Sequence, residues 1–238
     1  MPPVKLDSSS TKNKPAVGDV LYSTADGKLT LDEQTNSVDN TAIAICVIPE
    51  VMENFEKGDD SIGAVKTARF VSLDYMNDQT PGKMYLEMYF GNDNVVIGNR
   101  KGGTDKTSYV GGKWNTQRCL SKATKQDPYI CNGITNDSGE GYCAPACCCV
   151  RYSTLGTKPG DWYLPSVGEL YQIYANKLVI NEKRKTLCGH YFVDNPYEYW
   201  SCKEYSKYTY IVNLYNGVNH KSVRGILGYT LAFLALEV

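Results

Sequence analysis

Residues 160–177, GDWYLPSVGELYQIYANK, place a strand pattern directly before a helix pattern. The aromatic and apolar residues of DWYLP predict a short strand that Pro165 ends. Ser166, followed three residues later by Glu169, forms a capping-box pattern and predicts that a helix begins there. The next apolar residues recur at helical spacing and predict one buried stripe: Leu170, Ile173, Tyr174 and Leu178. We therefore expect this unit to be scaffold, which leaves only Asp161 for a functional role.

The segments around this unit predict an α+β fold. Upstream, APACCCVRYSTLG predicts a short helix that ends at Gly156, and downstream INEKRKTLCG predicts a helical piece that ends at Gly189. The patterns that follow predict only strands, in EYWSC, YTYIVNLYNG, KSVRGIL and YTLAFLALEV. Two helices followed by antiparallel strands are typical of α+β domains, in which the helices pack on the strands.

The first half of the chain predicts a small, mostly β domain over residues 16–76. The segments GDVLYS and KLTL flank TADG, whose Asp26-Gly27 pair predicts a hairpin turn. The β-branched apolar run TAIAICVIP predicts a buried strand that Pro49 ends, and ARFVSLDYM predicts a further strand. Residues 1–15 are polar and predict a docking tail that is flexible or ordered by a partner. Residues 77–113 predict a loop-rich connection with one strand-like island, KMYLEMYF.

Three motifs in the second half, GDWYLPSVGELYQIY, EYWSCKEYS and YIVNLYNG, resemble a known family in their order and spacing. The chain is similar over residues 114–238 to the C-type lectin-like fold family. The similar branch contains the formylglycine-generating enzyme, the variable proteins of diversity-generating retroelements, and many phage and gut-bacterial surface proteins. Through VGDVLYS and ARFVSL, the first half resembles the leading β region of phage fibre-like proteins. This resemblance implies a C-type lectin-like domain at residues 114–238.

Composition and charge exclude several partners. A net charge of −1 gives no electrostatic footprint for nucleic acid, so we expect no nucleic-acid partner. No apolar run approaches the length of a membrane-spanning helix, and we expect no membrane insertion. The N-terminus MPPVKLDSSSTKNKP has no apolar core of a secretory signal. The chain is expected to be made in the host cytoplasm and to reach a virion, with the bacterial cell surface as the alternative.

The cysteines are expected to be mostly reduced, to bind no metal and to support no cofactor. There are nine, an odd number, and synthesis in the cytosol favours thiols. The spacing of Cys143 and Cys147 is near that of metal ligands, but no histidine or second cysteine pair completes a zinc pattern. We expect the Cys147–Cys149 triplet to pack as small apolar side chains.

No catalytic residue is predicted, and the chain is not expected to be an enzyme. His190 and His220 have no recognisable partner motif, and nothing pairs a nucleophile with a base. Cys188 and Cys202 are the late cysteines, but their surroundings lack the signature of the enzymes in the resembled family. The acidic and amide triplets of calcium-dependent sugar-binding relatives are also absent, so we expect no calcium site.

The sequence predicts a ligand-binding surface in residues 197–229, which are rich in Tyr and Asn. Strand alternation predicts that one face packs on the helices while the other face and the NGVNHK turn are displayed. The candidate ligand-binding residues are Tyr205, Tyr208, Tyr210, Asn213, Tyr215, Asn216, Asn219, His220 and Lys221. An ordinary half-exposed sheet would show the same pattern, so both interpretations remain open.

These features together predict a virion structural protein, a head or tail fibre or decoration subunit. Its C-terminal lectin-like domain would bind a host glycan or surface protein without calcium. Its N-terminal tail and β domain would contact other virion subunits, and the chain would form a homo-oligomer, with a trimer favoured. The alternatives are a bacterial surface adhesin or variable ligand-binding protein, and a purely structural decoration protein without a ligand.

Overall fold

The computed structural model of this protein describes residues 3–7, 10, 12, 14–31, 41–53, 65–75, 87–89, 111–123, 144–188, 197–205, 208–223 and 227–238. The strands in these residues are β1 (Val4–Lys5), β2 (Val20–Ser23), β3 (Leu29–Thr30), β4 (Thr41–Glu53), β5 (Val65–Tyr75), β6 (Glu87–Tyr89), β7 (Trp162–Tyr163), β8 (Glu198–Tyr205), β9 (Tyr208–Asn213), β10 (Asn219–Val223), β11 (Leu227–Tyr229) and β12 (Leu231–Glu237). The helices are α1 (Gly112–Ala123), α2 (Ala144–Arg151), α3 (Val167–Ala175) and α4 (Lys177–Cys188).

The larger sheet is nearly closed into a barrel, and β12 is one of its inner strands, with a paired strand on each side. Its strand order is β1-β12-β5-β4-β2-β3, and β7 also pairs with β12. β12 runs antiparallel to β5, from Leu231 opposite Tyr75 to Glu237 opposite Thr67. It also pairs with β7, antiparallel, and with β1, in parallel. The last strand of the chain therefore joins strands from both halves in one sheet.

The smaller sheet forms a half-barrel with the strand order β10-β9-β8-β11-β6. β8, β9 and β10 are an antiparallel meander, in which Ile211 lies between Trp200 and His220. β11 pairs with β8 in parallel and with β6 antiparallel. The predicted ligand-binding residues lie on this meander and in the turn between β9 and β10.

The predicted fold class is wrong: this is not an α+β chain in which two helices pack on the strands. Among the residues that the structure describes, strand exceeds helix, at 44% against 26%, and the larger sheet draws strands from both halves. The pattern of apolar residues in a strand indicates which of its faces are buried, but it does not indicate which distant strand pairs with it. β5 and β12, which lie far apart in the sequence, pair directly.

β12 reads as a continuous apolar run because both of its faces are buried. Ala232, Leu234 and Leu236 belong to a core cluster that also contains Trp162 and Trp200. On the opposite face, Phe233 and Ala235 belong to a second cluster, which includes buried apolar residues of α3 and α4, the smaller-sheet residues Tyr199 and Val212, and Leu214 in the turn after β9. Buried residues of α3 and α4 therefore pack in the second cluster, while the smaller sheet contributes residues to both clusters.

The predicted capping box of α3 is confirmed, and Glu169 has a second role. Ser166 N donates to Glu169 Oε2 at 2.7 Å, and Glu169 N donates to Ser166 Oγ at 3.2 Å. The other oxygen of the buried carboxylate, Oε1, accepts from Tyr163 Oη at 2.6 Å and pairs with Arg69 Nε at 3.2 Å. Because Arg69 lies on β5, this buried ion pair fixes the start of α3 to the barrel-like sheet.

The predicted stripe of α3 is only partly correct. Leu170 and Ile173 are fully buried, as predicted, but Leu178 is 79% exposed. α3 ends at Ala175, Asn176 caps it through hydrogen bonds from its backbone and side chain to Gln172 O, and α4 begins at the next residue. In α4 the buried residues are Ile180 and Arg184, and Leu178 does not lie on that buried face.

Two further elements differ from the predictions. β4 continues through Pro49, and its register with β5 shifts between Ile48 and Val51, because an irregularity there accommodates a residue that has no N–H group to donate. α1 begins at Gly112, within the segment predicted to be loop-rich. A side chain at Gly112 would overlap the Glu169 carboxylate, and the Thr116 hydroxyl accepts from Leu164 N at 3.0 Å. Tertiary contacts with the capping-box unit therefore support α1.

The described part of the predicted polar tail lies on the chain's own sheet. Val4 and Lys5 form β1 opposite Leu236 and Glu237, and the Lys5 ammonium lies 3.4 Å from the Glu237 carboxylate. None of the helices in the described part of the chain combines the length and apolar character needed to cross a bilayer.

Candidate ligand-binding surface

The turn between β9 and β10 is shaped by its own asparagines. Asn213 Oδ1 accepts from the backbone N–H groups of Tyr215 and Asn216, at 2.9 and 3.2 Å. Asn216 Oδ1 accepts from Val218 N at 2.9 Å. Asparagine favours turns because its side chain can bond in this way to nearby backbone groups. The turn therefore holds Tyr215, which is 59% exposed, at a fixed place on the surface.

This turn rests on the junction between α3 and α4. Gly217 lies against the ring of Tyr174, on the last turn of α3. Lys177 Nζ, at the start of α4, donates to Tyr215 O at 3.3 Å and lies 4.8 Å from the centroid of the Tyr174 ring. We call Tyr174, Lys177, Tyr215, Asn216 and Val218 the turn surface. It presents phenol, ammonium, amide and apolar groups at one place.

The strand positions of the predicted site lie on two faces of the smaller sheet. Tyr210 lies opposite Lys221, Asn219 lies opposite Val212, and Tyr208 lies opposite Val223. Residues directly opposite one another share a face, and neighbours along a strand alternate. His220 therefore lies on the other face, where its Nε2 is 3.4 Å from Glu198 Oε1.

The nine predicted residues thus do not form one continuous patch on a single face. Tyr215 and Asn216 belong to the turn surface, and Lys221 and His220 are exposed on opposite faces of β10. Tyr208, Tyr210 and Asn219 are half-buried, while Asn213 is 9% exposed and shapes the turn. Tyr205 is the last residue of β8 and pairs with Tyr208. The side chain of Tyr205 is not among the side chains that the structure describes.

Sequence reasoning missed Tyr174 and Lys177 as parts of a surface. Tyr174 was assigned to the buried stripe of α3, but it is half-buried, and its ring lies 5.5 Å from that of Tyr171. The available signal was Asn176, a residue that often ends a helix. An end at that position would have placed Tyr174 at a helix junction next to Lys177, instead of within a continuous buried stripe.

A second group of tyrosines has an internal packing role. Tyr75 on β5 stacks on Tyr199 with ring centroids 6.3 Å apart, and Tyr229 packs against both Tyr75 and Tyr197. The guanidinium of Arg184 lies 4.6 Å from the centroid of the Tyr75 ring. Arg184 Nη2 also donates a hydrogen bond to Leu73 O at 2.8 Å. Burial raises the pKa of Tyr199. These tyrosines therefore pack between α4 and the two sheets.

The remaining residue of the scaffold unit, Asp161, also has a local role. Its Oδ2 accepts from Lys158 N at 2.8 Å, which closes the turn before β7. This hydrogen bond is typical of aspartate in turns. The expectation that Asp161 is left free for a function does not match this contact.

The described cysteines are buried thiols in most positions. Cys46, Cys148, Cys149 and Cys202 are buried and free, Cys188 is half-buried and free, and Cys147 is disulfide-bonded, which departs from the expectation for the triplet. Burial raises the pKa of the Cys149 thiol, and a protonated thiol is a poor nucleophile and metal ligand. Among the described residues, no group of three or more His, Cys, Asp or Glu side chains could hold a metal ion.

The chain matches no family model, no curated protein and no solved structure. What it binds must therefore be inferred from its own residues. Within the described part of the chain, the turn surface brings exposed aromatic and apolar side chains next to a half-exposed ammonium group.

Proposed function

We propose that this protein is a virion structural subunit, a head or tail fibre or decoration protein, that attaches to a host-surface ligand through the turn surface. The observation that carries this proposal is the exposure of Tyr215, 59%, on a turn held by hydrogen bonds from its own asparagines and by contact with α3. An exposed aromatic side chain on a fixed backbone offers contact area at a low entropic cost of binding.

The chemistry of the turn surface favours recognition of a ligand without calcium. The side-chain oxygens of Asn213 and Asn216 accept backbone hydrogen bonds within the turn. Calcium requires several converging oxygen ligands, and these two are already used. Tyr215 can stack on a sugar ring or an apolar protein surface, and Lys177 can donate hydrogen bonds.

The virion part of the proposal rests on the sequence resemblance. The motifs in residues 160–174, 198–206 and 210–217 follow one another as they do in the resembled family, which includes phage surface proteins. VGDVLYS, which contains β2, and ARFVSL, within β5, resemble the leading region of phage fibre-like proteins. We propose that the N-terminal β region contacts other virion subunits and that the protein is a homo-oligomer, with a trimer favoured.

A cell-attachment experiment tests the binding role. Labelled protein is incubated with a panel of bacteria, and bound protein is measured by flow cytometry. Replacing Tyr215, Asn219 and Lys221 together by Ala should abolish attachment and leave the melting temperature nearly unchanged, because these side chains are exposed or half-exposed.

A matched control variant replaces three exposed residues elsewhere, Leu155, Lys158 and Glu182, by Ala and should keep full attachment. If the first variant attaches as well as the wild type, Tyr215 does not mediate attachment and the proposal fails. If the wild-type protein attaches to no cell but an antibody against it labels virus particles, a decoration role without a ligand replaces the proposal. Labelling of bacterial cells instead of particles would favour a surface adhesin.

A further inference from the structure

The ammonium group of Lys177 is held between two tyrosines of the turn surface. It donates to the backbone oxygen of Tyr215 at 3.3 Å and lies 4.8 Å from the centroid of the Tyr174 ring. Contact with an aromatic face stabilises an ammonium group while replacing part of its hydration. These two contacts therefore hold the ammonium group of Lys177 in a defined position.

The position of this cation leaves it able to bind a ligand. Lysine has three N–H donors, and among the described residues Lys177 uses one of them, for Tyr215 O. Its side chain is half-exposed, and Tyr215 beside it is 59% exposed. A ligand that covers Tyr215 would thus lie within reach of an ammonium group that has further hydrogen bonds to donate.

The two groups together recognise two features in one ligand. A tyrosine ring packs on the apolar C–H face of a sugar ring, and a lysine ammonium forms a charge-assisted hydrogen bond with a carboxylate. Lys221, on β10, adds a second exposed basic residue after the same turn. Neutral sugars would use the ring but not the charge.

We infer that the ligand of the turn surface is a saccharide that carries a carboxylate, such as a uronic or sialic acid, with the sugar ring on Tyr215 and the carboxylate on Lys177. This inference rests on the proposed function, because it names the chemical class of the ligand for the same surface. It adds a prediction that the proposed function does not make, namely that the negative charge of the ligand is required.

The test compares acidic saccharides with neutral forms of the same chains. An array carries oligosaccharides that contain uronic or sialic acids, the same oligosaccharides after reduction of the carboxyl groups, and an acidic polypeptide. The full-length protein should bind at least one acidic saccharide about tenfold more tightly than its reduced form, the change expected for loss of one charge-assisted hydrogen bond. This preference should weaken as salt is added.

Two variants of one residue supply the matched comparison. Lys177→Gln should bind the acidic and reduced forms equally, whereas Lys177→Arg, which keeps the charge, should retain the preference. Melting temperatures of both variants establish that they are folded. The inference is overturned if wild-type protein binds both forms equally, if Lys177→Gln keeps the preference, if no acidic saccharide binds, or if only the polypeptide binds.

Cell attachment separates this inference from the proposed function. If the variant with Tyr215, Asn219 and Lys221 replaced by Ala fails to attach while Lys177→Gln attaches normally, the surface binds host cells but does not require the carboxylate. If both variants attach normally, the proposed function itself fails. Loss of attachment in both variants, with retention in Lys177→Arg, supports both.

Discussion

Gly217 lies so close to the aromatic ring of Tyr174 that any side chain at position 217 would overlap the ring. Gly217 also has a φ of 71°, in the left-handed region that residues with a side chain rarely adopt. Two independent constraints therefore require glycine at this position. The contact joins the β9–β10 turn to the end of α3 and thereby places Tyr215 next to Lys177.

We expect Gly217→Ala to lower the free energy of unfolding by more than about 2 kcal/mol, because it combines an unfavourable φ with overlap against Tyr174. In a Tyr174→Ala background the overlap is removed, and the same substitution should cost only about 1 kcal/mol, the part due to φ. Urea unfolding of the four proteins in this cycle measures both costs. Equal costs in the two backgrounds would show that the ring does not restrict position 217.

Truncation of two leucines in neighbouring helices should have opposite outcomes. Leu170→Ala should lower the free energy of unfolding by about 2–5 kcal/mol, because the Leu170 side chain of α3 is fully buried and its truncation leaves a cavity. Leu178→Ala should change stability by no more than about 0.5 kcal/mol, because that side chain is 79% exposed. Chemical denaturation of both variants provides the measurement. A large loss for Leu178→Ala would mean that α4 is buried by a contact with another molecule.

The buried ion pair between Arg69 and Glu169 should be costly to break. Glu169→Ala should lose at least about 3 kcal/mol, because it leaves the Arg69 charge buried and removes the acceptor for Ser166 N. Glu169→Gln should lose less, since its amide oxygen can still accept a hydrogen bond. Denaturant unfolding ranks the two variants, and the Gln variant keeps the test usable if the Ala variant does not fold. Equal stability of the two would contradict a role for the acceptor.

The described thiols should differ in reactivity according to their burial. In the native protein, alkylation mapped by peptide mass spectrometry should modify half-buried Cys188 before Cys46, Cys149 and Cys202, which are fully buried. Burial raises the pKa of Cys149 and Cys46, so little thiolate is present at neutral pH. Modification of Cys149 at the rate of Cys188 would contradict this order.

Denaturation without reduction gives a second measurement on the cysteines. Of the nine cysteines, the disulfide of Cys147 removes two, which leaves no more than seven titratable thiols. A count of nine would show that this disulfide is absent from the protein in solution.

The sequence by itself determined the local elements of this protein. The spacing of Ser166 and Glu169 predicted the start of α3, because both capping hydrogen bonds form within four residues of chain. The Asp26-Gly27 pair predicted the hairpin of β2 and β3, and the alternating or apolar runs predicted β4, β5, β8 and β9. Each of these features depends on residues that are neighbours in the chain, so it leaves a local pattern. Two of the predicted ligand-binding residues, Tyr215 and Asn216, lie in the turn after β9.

Only the tertiary structure decided the fold class and the membership of the candidate site. β12 pairs with β5, and Arg69 pairs with Glu169 across 100 residues of chain. Tyr174 and Lys177 also depend on tertiary contacts. They lie at the turn surface because α3 packs on the smaller sheet and because Gly217, which has no side chain, leaves room for the Tyr174 ring. An apolar or aromatic residue shows in the sequence that it is suited to burial, but the partner that covers it is set by the path of the whole chain. That path made the protein mostly β and placed an ammonium group beside the exposed tyrosine.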